Sequence, residues 1–307
     1  MATKKNKLII IAGPTAVGKT AVAIAVARHF QTEIISADSR QCYRELNIGV
    51  ARPSEQELTA VKHHFIASHS IHEKVTAITF EQYALGALDG IFRKRDVAVV
   101  VGGTGLYIKA LLEGMDEIPE VPETLHTGLI HEYNKNGLPW LQDQVRVADP
   151  VFYEKGEIQN PQRLLRALEV WKATGRSLMD FRRGEKTYRD FDAIKIALQL
   201  PKVDLHQNIN TRVDAMMAHG LLEEARLLIP WQHLNALQTV GYRELFDHFN
   251  GEISLPEAVE RIRISTRQYA KRQLTWFRKD KEYHWCAPQA ETVLTYLRET
   301  AGSWNLS

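Results

Sequence analysis

Cysteine is scarce in this chain, which has two among 307 residues, Cys42 and Cys286. Two thiols so far apart provide neither a disulfide framework nor the closely spaced pairs that bind structural zinc. This scarcity excludes a small disulfide-stapled scaffold. It favours a protein of the reducing cytosol, where free thiols persist.

Long apolar runs are also missing, although 44% of the residues are hydrophobic. No stretch approaches the roughly 20 apolar residues that a membrane-spanning helix needs. Residues 8–12 (LIIIA) follow a basic N-terminus but are too short for the core of a signal peptide. The net charge of +2 is small, so the distribution of charge matters more than its sum. We expect a soluble, cytoplasmic protein with no membrane partner.

A phosphate-binding motif is present near the N-terminus. Residues 8–12 indicate a strand, residues 13–20 read GPTAVGKT, and residues 21–27 are typical of a helix. This order of strand, glycine loop and helix is that of P-loop proteins, in which backbone N–H groups and the helix N-terminus face one anion. The Thr20 hydroxyl suits Mg²⁺. The predicted phosphate ligands are Gly13, Pro14, Thr15, Ala16, Val17, Gly18, Lys19 and Thr20.

Two further predicted strands end at the same edge of the sheet. Residues 33–37 lead to Asp38, and residues 96–101 lead to a glycine pair before Thr104. Ligands of open parallel sheets bind beyond the carboxyl ends of the strands, so Asp38 and Thr104 should face the P-loop. Asp38 could instead cap the helix that follows it. The second strand lacks the terminal aspartate with which ATP-hydrolysing P-loop proteins hold Mg²⁺, which weighs against an ATP motor.

The character of the sequence changes near residue 115, where a proline-containing boundary precedes a polar, helical stretch. Within that stretch, Asn160 and Pro161 have the pattern of a helix start. The sequence thus predicts an α/β fold, with a P-loop NTPase-like parallel sheet core flanked by helices. We expect residues 1–115 and 192–307 to form this core with C-terminal basic helices, and residues 116–191 to form an inserted all-α domain.

Positive charge is concentrated near the C-terminus. Eight Lys and Arg residues lie between positions 261 and 281 against a single acid, and Tyr269, Trp276 and Phe277 lie among them. A basic helix with interleaved aromatic rings favours contact with a nucleic-acid backbone and stacking on unpaired bases. The alternative is an amphipathic helix whose arginines are simply hydrated.

Three classes of protein could use a phosphate cradle, a nearby carboxylate and a basic helix. A phosphotransferase would bind ATP and use Asp38 as the base for a hydroxyl acceptor. A second kind of transferase would hold a diphosphate leaving group while its organic part moves to a nucleic-acid base. The third possibility is an RNA-binding regulator whose P-loop only switches conformation. The absent strand-end aspartate weighs against the first and the third without deciding the matter.

Several segments together resemble the bacterial tRNA dimethylallyltransferases, and they occur in that family's order over nearly the whole chain. Besides the P-loop, the matching segments are residues 35–41 (ISADSRQ), 43–53 at Tyr43, Ile48, Gly49 and Pro53, 101–107 (VGGTGLY), 160–169 (NPQRLLRALE), 240–242 (VGY) and 271–276 (KRQLTW). Several of these are specific to the family, unlike the P-loop.

The resemblance implies transfer of a dimethylallyl group from dimethylallyl diphosphate to N6 of the adenosine immediately 3′ of the anticodon. The acceptors would be tRNAs that read codons beginning with U, and the partner surface would be the anticodon stem-loop. Asp38 is implied as the base and Thr104 as a group near the reacting centre. Lys19 and Thr20 would hold the diphosphate with Mg²⁺ as cofactor. We expect a monomer.

The same resemblance implies tRNA contacts along the chain. Gln238 and His126 stand where the family often has basic residues, which should affect affinity more than chemistry. The implied tRNA-contacting residues are Asp38, Ser39, Arg40, Gln41, Thr104, His126, Gln162, Arg163, Leu164, Leu165, Arg166, Gln238, Thr239, Val240, Gly241, Tyr242, Arg243, Lys271, Arg272, Gln273, Leu274, Thr275, Trp276, Phe277 and Arg278.

Overall fold

The computed structural model describes residues 5–182 and 184–301, which fall into two compact units. The second unit is Glu113–Thr187, and the chain on either side of it forms the first. The first unit contains a parallel sheet with helices, whereas the described residues of the second form helices and their connections. The second unit begins and ends within four residues of the predicted insertion.

The sheet of the first unit has six parallel strands in the order β3-β2-β4-β1-β5-β6. The central strands β1 and β4 are rich in Ile and Val and almost wholly buried, as expected of a parallel sheet covered on both faces. This architecture confirms the predicted α/β fold. The strands are β1 (Asn6–Ala12), β2 (Ile34–Ala37), β3 (His63–His64), β4 (Val97–Gly102), β5 (Phe191–Leu198) and β6 (His284–Cys286).

Helices connect the strands and build the second unit. Within the described ranges, α5 to α8 belong to the second unit and the other helices to the first. The helices are α1 (Lys19–His29), α2 (Glu55–Ala60), α3 (Ala77–Phe92), α4 (Gly105–Glu113), α5 (Glu123–Ala148), α6 (Pro150–Lys155), α7 (Pro161–Thr174), α8 (Leu178–Phe181), α9 (Lys202–Ala218), α10 (Leu221–Leu227), α11 (Tyr242–Phe249), α12 (Leu255–Phe277) and α13 (Ala290–Ala301).

Local sequence signals account for several of these boundaries. The Asn160 side chain accepts hydrogen bonds from the first backbone N–H groups of α7, and Pro161 occupies the first turn, which confirms the predicted helix start. Strand β5 begins at Phe191. Its second residue, Asp192, forms an ion pair with Lys7 of β1 at 2.6 Å and so extends the pairing of the two strands.

The histidine pair His63-His64 forms the edge strand β3. His64 Nε2 lies 2.5 Å from a Glu33 carboxylate oxygen, and His63 Nδ1 lies 2.8 Å from the carbonyl oxygen of Val61. The residues described in the structure contain no cluster of three or more His, Cys, Asp or Glu side chains suited to a metal ion. Of the helices that the structure describes, none is both long and apolar enough to cross a membrane.

Candidate active site

The P-loop joins β1 to α1, as predicted. The Lys19 ammonium folds back over the loop and donates a hydrogen bond to the Pro14 carbonyl oxygen at 2.6 Å. The pKa of Lys19 is lowered to about 7, first by burial and then by repulsion from Arg212, while attraction by Asp38 opposes both. A bound polyanion at this position would favour the charged form of the lysine.

A cavity of about 370 Å³ opens beside the P-loop, and we call it the anion cavity. Of the predicted phosphate ligands, Gly13, Pro14 and Val17 are buried within the frame of the loop instead. The predicted site residues that line the anion cavity are Thr15, Ala16, Gly18, Lys19, Thr20, Asp38, Gln41 and Gln273.

A second cavity, of about 310 Å³, adjoins the first, and we call it the acceptor cavity. The predicted tRNA-contacting residues in its lining are Asp38, Ser39, Arg40, Gln238, Thr239, Val240, Gly241, Arg243 and Arg272. Six residues line both cavities, namely Thr15, Asp38, Val50, Ala51, Arg212 and Tyr269. The two cavities therefore meet where Asp38 lies.

Asp38 lies at the end of β2 and is half-buried. Its Oδ1 accepts hydrogen bonds from the backbone N–H groups of Arg40 at 2.8 Å and Gln41 at 3.2 Å. The alternative of a helix cap is wrong, because the residues after Asp38 form turns and the next helix, α2, begins only at Glu55. The two N–H contacts nevertheless fix one carboxylate oxygen. Among the described residues, Oδ2 has no hydrogen-bond partner. One carboxylate can therefore be held by its backbone and still offer an oxygen to a ligand.

Thr104 follows β4 and forms hydrogen bonds with the two residues on either side of Asp38. Its backbone N–H donates to the Ala37 carbonyl oxygen at 3.1 Å, and its hydroxyl accepts from the Ser39 N–H at 3.1 Å. In the described part of the chain, Thr104 is absent from the lining of both cavities. The pKa of the neighbouring Tyr269 phenol is raised to about 12, first by burial and then by the charge of Asp38, while a hydrogen bond with Thr104 opposes both. The phenol therefore stays protonated near neutral pH.

Helix α9 contributes two site residues that sequence reasoning missed. Asn208 Nδ2 donates to the Ala16 carbonyl oxygen at 3.2 Å, and Arg212 Nη1 donates to Thr15 Oγ1 at 3.3 Å. The two side chains are four residues apart, so they lie on one face of the helix. Burial lowers the pKa of Arg212, while Asp38 and Glu57 act in the opposite direction. Arg212 adds a second cation to the anion cavity. In the sequence, the only indication of these two residues was their four-residue spacing on the helix after β5, the strand that pairs with β1.

Gln273 was predicted to contact tRNA, yet its side chain is buried. Its Oε1 accepts from the Thr15 N–H at 2.8 Å, and its Nε2 donates to the Gly103 carbonyl oxygen at 3.0 Å. A Cβ at Gly103 would lie 2.0 Å from that Nε2, so the glycine is needed for this contact. Gln273 therefore joins the P-loop to the β4 loop. Phe277 is buried as well, and Leu274 packs against the core of the first unit.

The basic helix α12 divides into two halves with different roles. In its first half, arginines are paired with carboxylates, as in the contacts of Arg261 with Glu257 at 2.9 Å and of Arg263 with Asp214 at 2.5 Å. The amphipathic interpretation applies to this half. The second half borders a groove of about 400 Å³ lined by Gln268, Lys271, Arg272, Thr275, Trp276 and Lys279. Nucleic-acid contact remains a prediction for this second half alone.

The predicted contacts of the second unit fall on α5 and α7. His126 Nδ1 lies 2.5 Å from a carboxylate oxygen of Glu169, which is buried, and Arg166 lies 3.6 Å from the other oxygen. Gln162 and Arg163 are exposed. Leu164 and Leu165 have buried side chains in the core of this unit, so their predicted contacts with tRNA could come only through neighbouring residues.

Comparison with known proteins places this arrangement in a family. The model of the IPP transferase family matches residues 41–280. The tRNA dimethylallyltransferase of Christiangramia forsetii is 48% identical over 280 residues, which cover 91% of this chain and 93% of that protein. The enzyme of the same name from Flavobacterium johnsoniae is 44% identical over 284 residues, covering 91% of this chain and 92% of its own length.

Solved structures show the same likeness. The full-length tRNA isopentenylpyrophosphate transferase of Bacillus halodurans superposes with a TM-score of 0.71 at 32% identity, covering 98% of this chain and 97% of that one. A eukaryotic dimethylallyltransferase acting on tRNA has a TM-score of 0.76 at 24% identity over 97% of this chain and 77% of its own, which bears on the fold alone. The chain belongs to the IPP transferase family and is similar over nearly its whole length to the bacterial tRNA dimethylallyltransferases.

Proposed function

We propose that this chain transfers a dimethylallyl group from dimethylallyl diphosphate to N6 of the adenosine immediately 3′ of the anticodon, and releases diphosphate. The acceptors are tRNAs that read codons beginning with U. The observation that carries this proposal is the meeting of the anion cavity and the acceptor cavity at Asp38. An enzyme that transfers a group between two substrates held in neighbouring cavities needs such a junction, because the reacting atoms must meet there.

The diphosphate end of the donor belongs in the anion cavity. The loop amides and the N-terminus of α1 offer backbone N–H groups, and Lys19 and Arg212 add two cations. These groups are fixed before the substrate binds, so they can stabilise the charge that gathers on the leaving diphosphate. The same charges would favour departure of the leaving group over retention of the intact donor.

The residues of the anion cavity also fit Mg²⁺. Thr20, Ser36 and Asp38 present oxygen donors to it, and Mg²⁺ is ordinarily held by one or two protein oxygens together with substrate phosphates. We therefore propose Mg²⁺ as the cofactor, with Thr20 as a direct ligand. When bound, the ion would neutralise part of the charge of the leaving group.

Asp38 is proposed to serve the acceptor. The adenine N6 attacks the first carbon of the allyl group, and the carbon–oxygen bond to diphosphate breaks with its electron pair on the leaving oxygen. The N6 proton passes to Asp38 Oδ2, which avoids a cationic product. The fixed position of Oδ1 keeps the carboxylate aimed at the junction.

The adenine must leave its stack to enter the acceptor cavity. We propose that the turn at residues 238–243 surrounds the entering base, and that Arg272 and Trp276 at the second half of α12 contact the anticodon stem-loop. The second unit would make tRNA contacts of its own, which we propose at His126 and residues 162–166. We propose that the protein acts as a monomer and, since its proposed substrate is tRNA, that it works in the cytoplasm.

The test is incubation with dimethylallyl diphosphate, Mg²⁺ and unmodified tRNA, followed by mass analysis of the nucleosides. The proposal predicts one five-carbon unit on one adenosine beside the anticodon and an equal amount of diphosphate. A parallel incubation with ATP and tRNA distinguishes a kinase, since only a phosphotransferase would yield ADP. Formation of ADP without a prenylated nucleoside would reject the proposal.

A further inference from the structure

One carboxylate binds three successive backbone N–H groups beside the acceptor cavity. Glu224 Oε2 accepts from Asn47 at 3.2 Å and from Ile48 at 2.8 Å, and Oε1 accepts from Gly49 at 3.0 Å. Consecutive N–H groups that converge on one anion form a concave anion-binding nest. The segment held in this way continues into Val50 and Ala51, which line both cavities.

Tyr242 completes this contact from α11. Its hydroxyl donates to Glu224 Oε1 at 2.5 Å, and its side chain is fully buried. Burial and the neighbouring carboxylate both raise the pKa of the Tyr242 phenol, so the phenol remains a donor. Its ring also packs on Gly49, where a Cβ would lie 2.6 Å from the ring carbon Cζ. The turn that lines the acceptor cavity leads directly into this tyrosine.

The other end of the segment is tied to Asp38. Gln41 Nε2 donates to the carbonyl oxygens of Val50 at 3.2 Å and Ala51 at 3.0 Å. The backbone N–H of Gln41 donates to Asp38 Oδ1 at 3.2 Å. Hydrogen bonds and a short run of backbone thus connect Tyr242, at the acceptor turn, with the carboxylate at the junction of the two cavities.

We propose that Glu224 is a positioning residue which, with Tyr242, clamps residues 47–51 and so sets the distance between the acceptor base and Asp38. This proposal rests on the proposed function for its catalytic consequence. Glu224 itself lines neither cavity within the described residues, so it acts through the segment that it holds. Val50 and Ala51 border both cavities, but the proposed diphosphate contacts lie on the P-loop and Arg212, which Glu224 does not touch within the described residues. Loss of the clamp should therefore affect the acceptor more than the donor.

Glutamine cannot replace this glutamate. The glutamine side chain has only one acceptor oxygen, and its second terminal atom is an NH₂ donor. That NH₂ group would face backbone N–H groups, which are donors themselves and need an acceptor. Losing charge-assisted hydrogen bonds of this kind is worth about tenfold or more in an equilibrium. The Glu224→Gln variant keeps the size of the side chain and changes only this chemistry. The exposed neighbour Glu223 provides the matched control, Glu223→Gln.

The experiment compares the two variants with the wild-type chain by three measurements. Hydrogen–deuterium exchange of the 47–49 amides should become at least about tenfold faster in Glu224→Gln and stay unchanged in Glu223→Gln. The kcat/KM for tRNA should fall about tenfold or more, while the Kd for inorganic diphosphate and the KM for dimethylallyl diphosphate stay within about twofold of the wild type. Unchanged amide exchange would overturn the clamp, and so would a Kd for diphosphate or a KM for dimethylallyl diphosphate that rises by as much as kcat/KM for tRNA falls.

Tyr242→Phe keeps the proposal testable if Glu224→Gln does not fold. It removes one donor and leaves the three N–H contacts, so its loss in kcat/KM for tRNA should be smaller and again spare diphosphate binding. If both single variants fold, the double variant should lose less than the product of the single losses, and strict additivity would contradict a shared clamp. Wild-type protein that prenylates no tRNA would reject the proposed function, whereas amide exchange would still test the clamp.

Discussion

Asp38 and Arg212 line both the anion cavity and the acceptor cavity, one at the end of β2 and the other on α9. Their charges are opposite, and the negative charge of Asp38 partly offsets the lowering of the pKa of Arg212 by burial. One residue can therefore hold the leaving group while the other receives a proton from the acceptor. This separation of roles within one junction underlies the predictions that follow.

Replacing Arg212 with glutamine should weaken binding of the donor. The arginine donates to Thr15 and provides a cation to the anion cavity, so its loss should raise the KM for dimethylallyl diphosphate about tenfold to a hundredfold. Steady-state kinetics at saturating tRNA would measure this. The variant Arg263→Gln removes an arginine paired with Asp214 and Glu260, and it serves as the control. A KM for the donor equal to that of the wild type would contradict a diphosphate contact by Arg212.

Diphosphate binding should be coupled to proton uptake by Lys19. Its pKa is lowered to about 7, so near pH 8 most Lys19 side chains are neutral before the anion binds. A bound anion raises that pKa, so the contribution of Lys19 to affinity is complete below about pH 7 and is lost as the pH rises through the pKa of the complex. Calorimetry in buffers with different ionisation enthalpies would measure the uptake.

The Lys19→Arg variant isolates the contribution of this lysine. Arginine stays charged across this range of pH, so the variant should take up fewer protons than the wild type at the same pH. Ionisation of diphosphate itself is common to both proteins and cancels in the difference. Equal proton uptake by the two proteins would show that Lys19 is already charged before binding.

The second half of α12 should bind tRNA phosphates, and the first half should not. Replacing Lys271 with glutamine should reduce the slope of log affinity against log salt by about one, because one phosphate contact is lost. The control Arg263→Gln should leave the slope unchanged, since this arginine is paired with carboxylates. Filter binding of one tRNA across a salt series would provide both slopes. Equal slopes for Lys271→Gln and the wild type would remove this groove from the tRNA contact surface.

A methyl group at Gly49 should disturb the acceptor side of the site. The new Cβ would meet the buried Tyr242 ring, so Gly49→Ala should lower the free energy of unfolding by about 1–3 kcal/mol and reduce tRNA prenylation. Gly86, exposed on α3 with open space around it, provides the control. There the same change should stabilise the helix by about 0.5–1 kcal/mol. Denaturant unfolding would measure the change in the free energy of unfolding for each variant.

The sequence was sufficient to predict the parts of the site that lie in local motifs. The P-loop, the strand that delivers Asp38 and the cap formed by Asn160 each depend on a few adjacent residues, and their structures follow from hydrogen bonding within the segment. Continuous runs of Ile and Val likewise indicated buried parallel strands, and the sheet contains them.

Residues whose roles depend on distant partners could not be predicted in this way. The sequence around Arg212 indicates only a helix, and its contact with Thr15 of the P-loop depends on the packing of α9. Of the five Lys and Arg residues of α12, three form ion pairs with Glu257, Glu260 and Asp214, of which the last lies on another helix. Gln273 likewise has a buried side chain because it forms hydrogen bonds with Thr15 and Gly103, which are distant in the sequence.

The most direct test of the account is the chemical step in an Asp38→Asn variant under single-turnover conditions. Asparagine retains an oxygen that can accept from the backbone of Arg40 and Gln41, so the local fold should persist, but it cannot take up the N6 proton. We predict that tRNA and diphosphate bind as they do to the wild type, while the rate of nucleoside prenylation falls by about 10²–10⁴. A prenylation rate close to that of the wild type would contradict the assignment of Asp38 as the base at the junction of the two cavities.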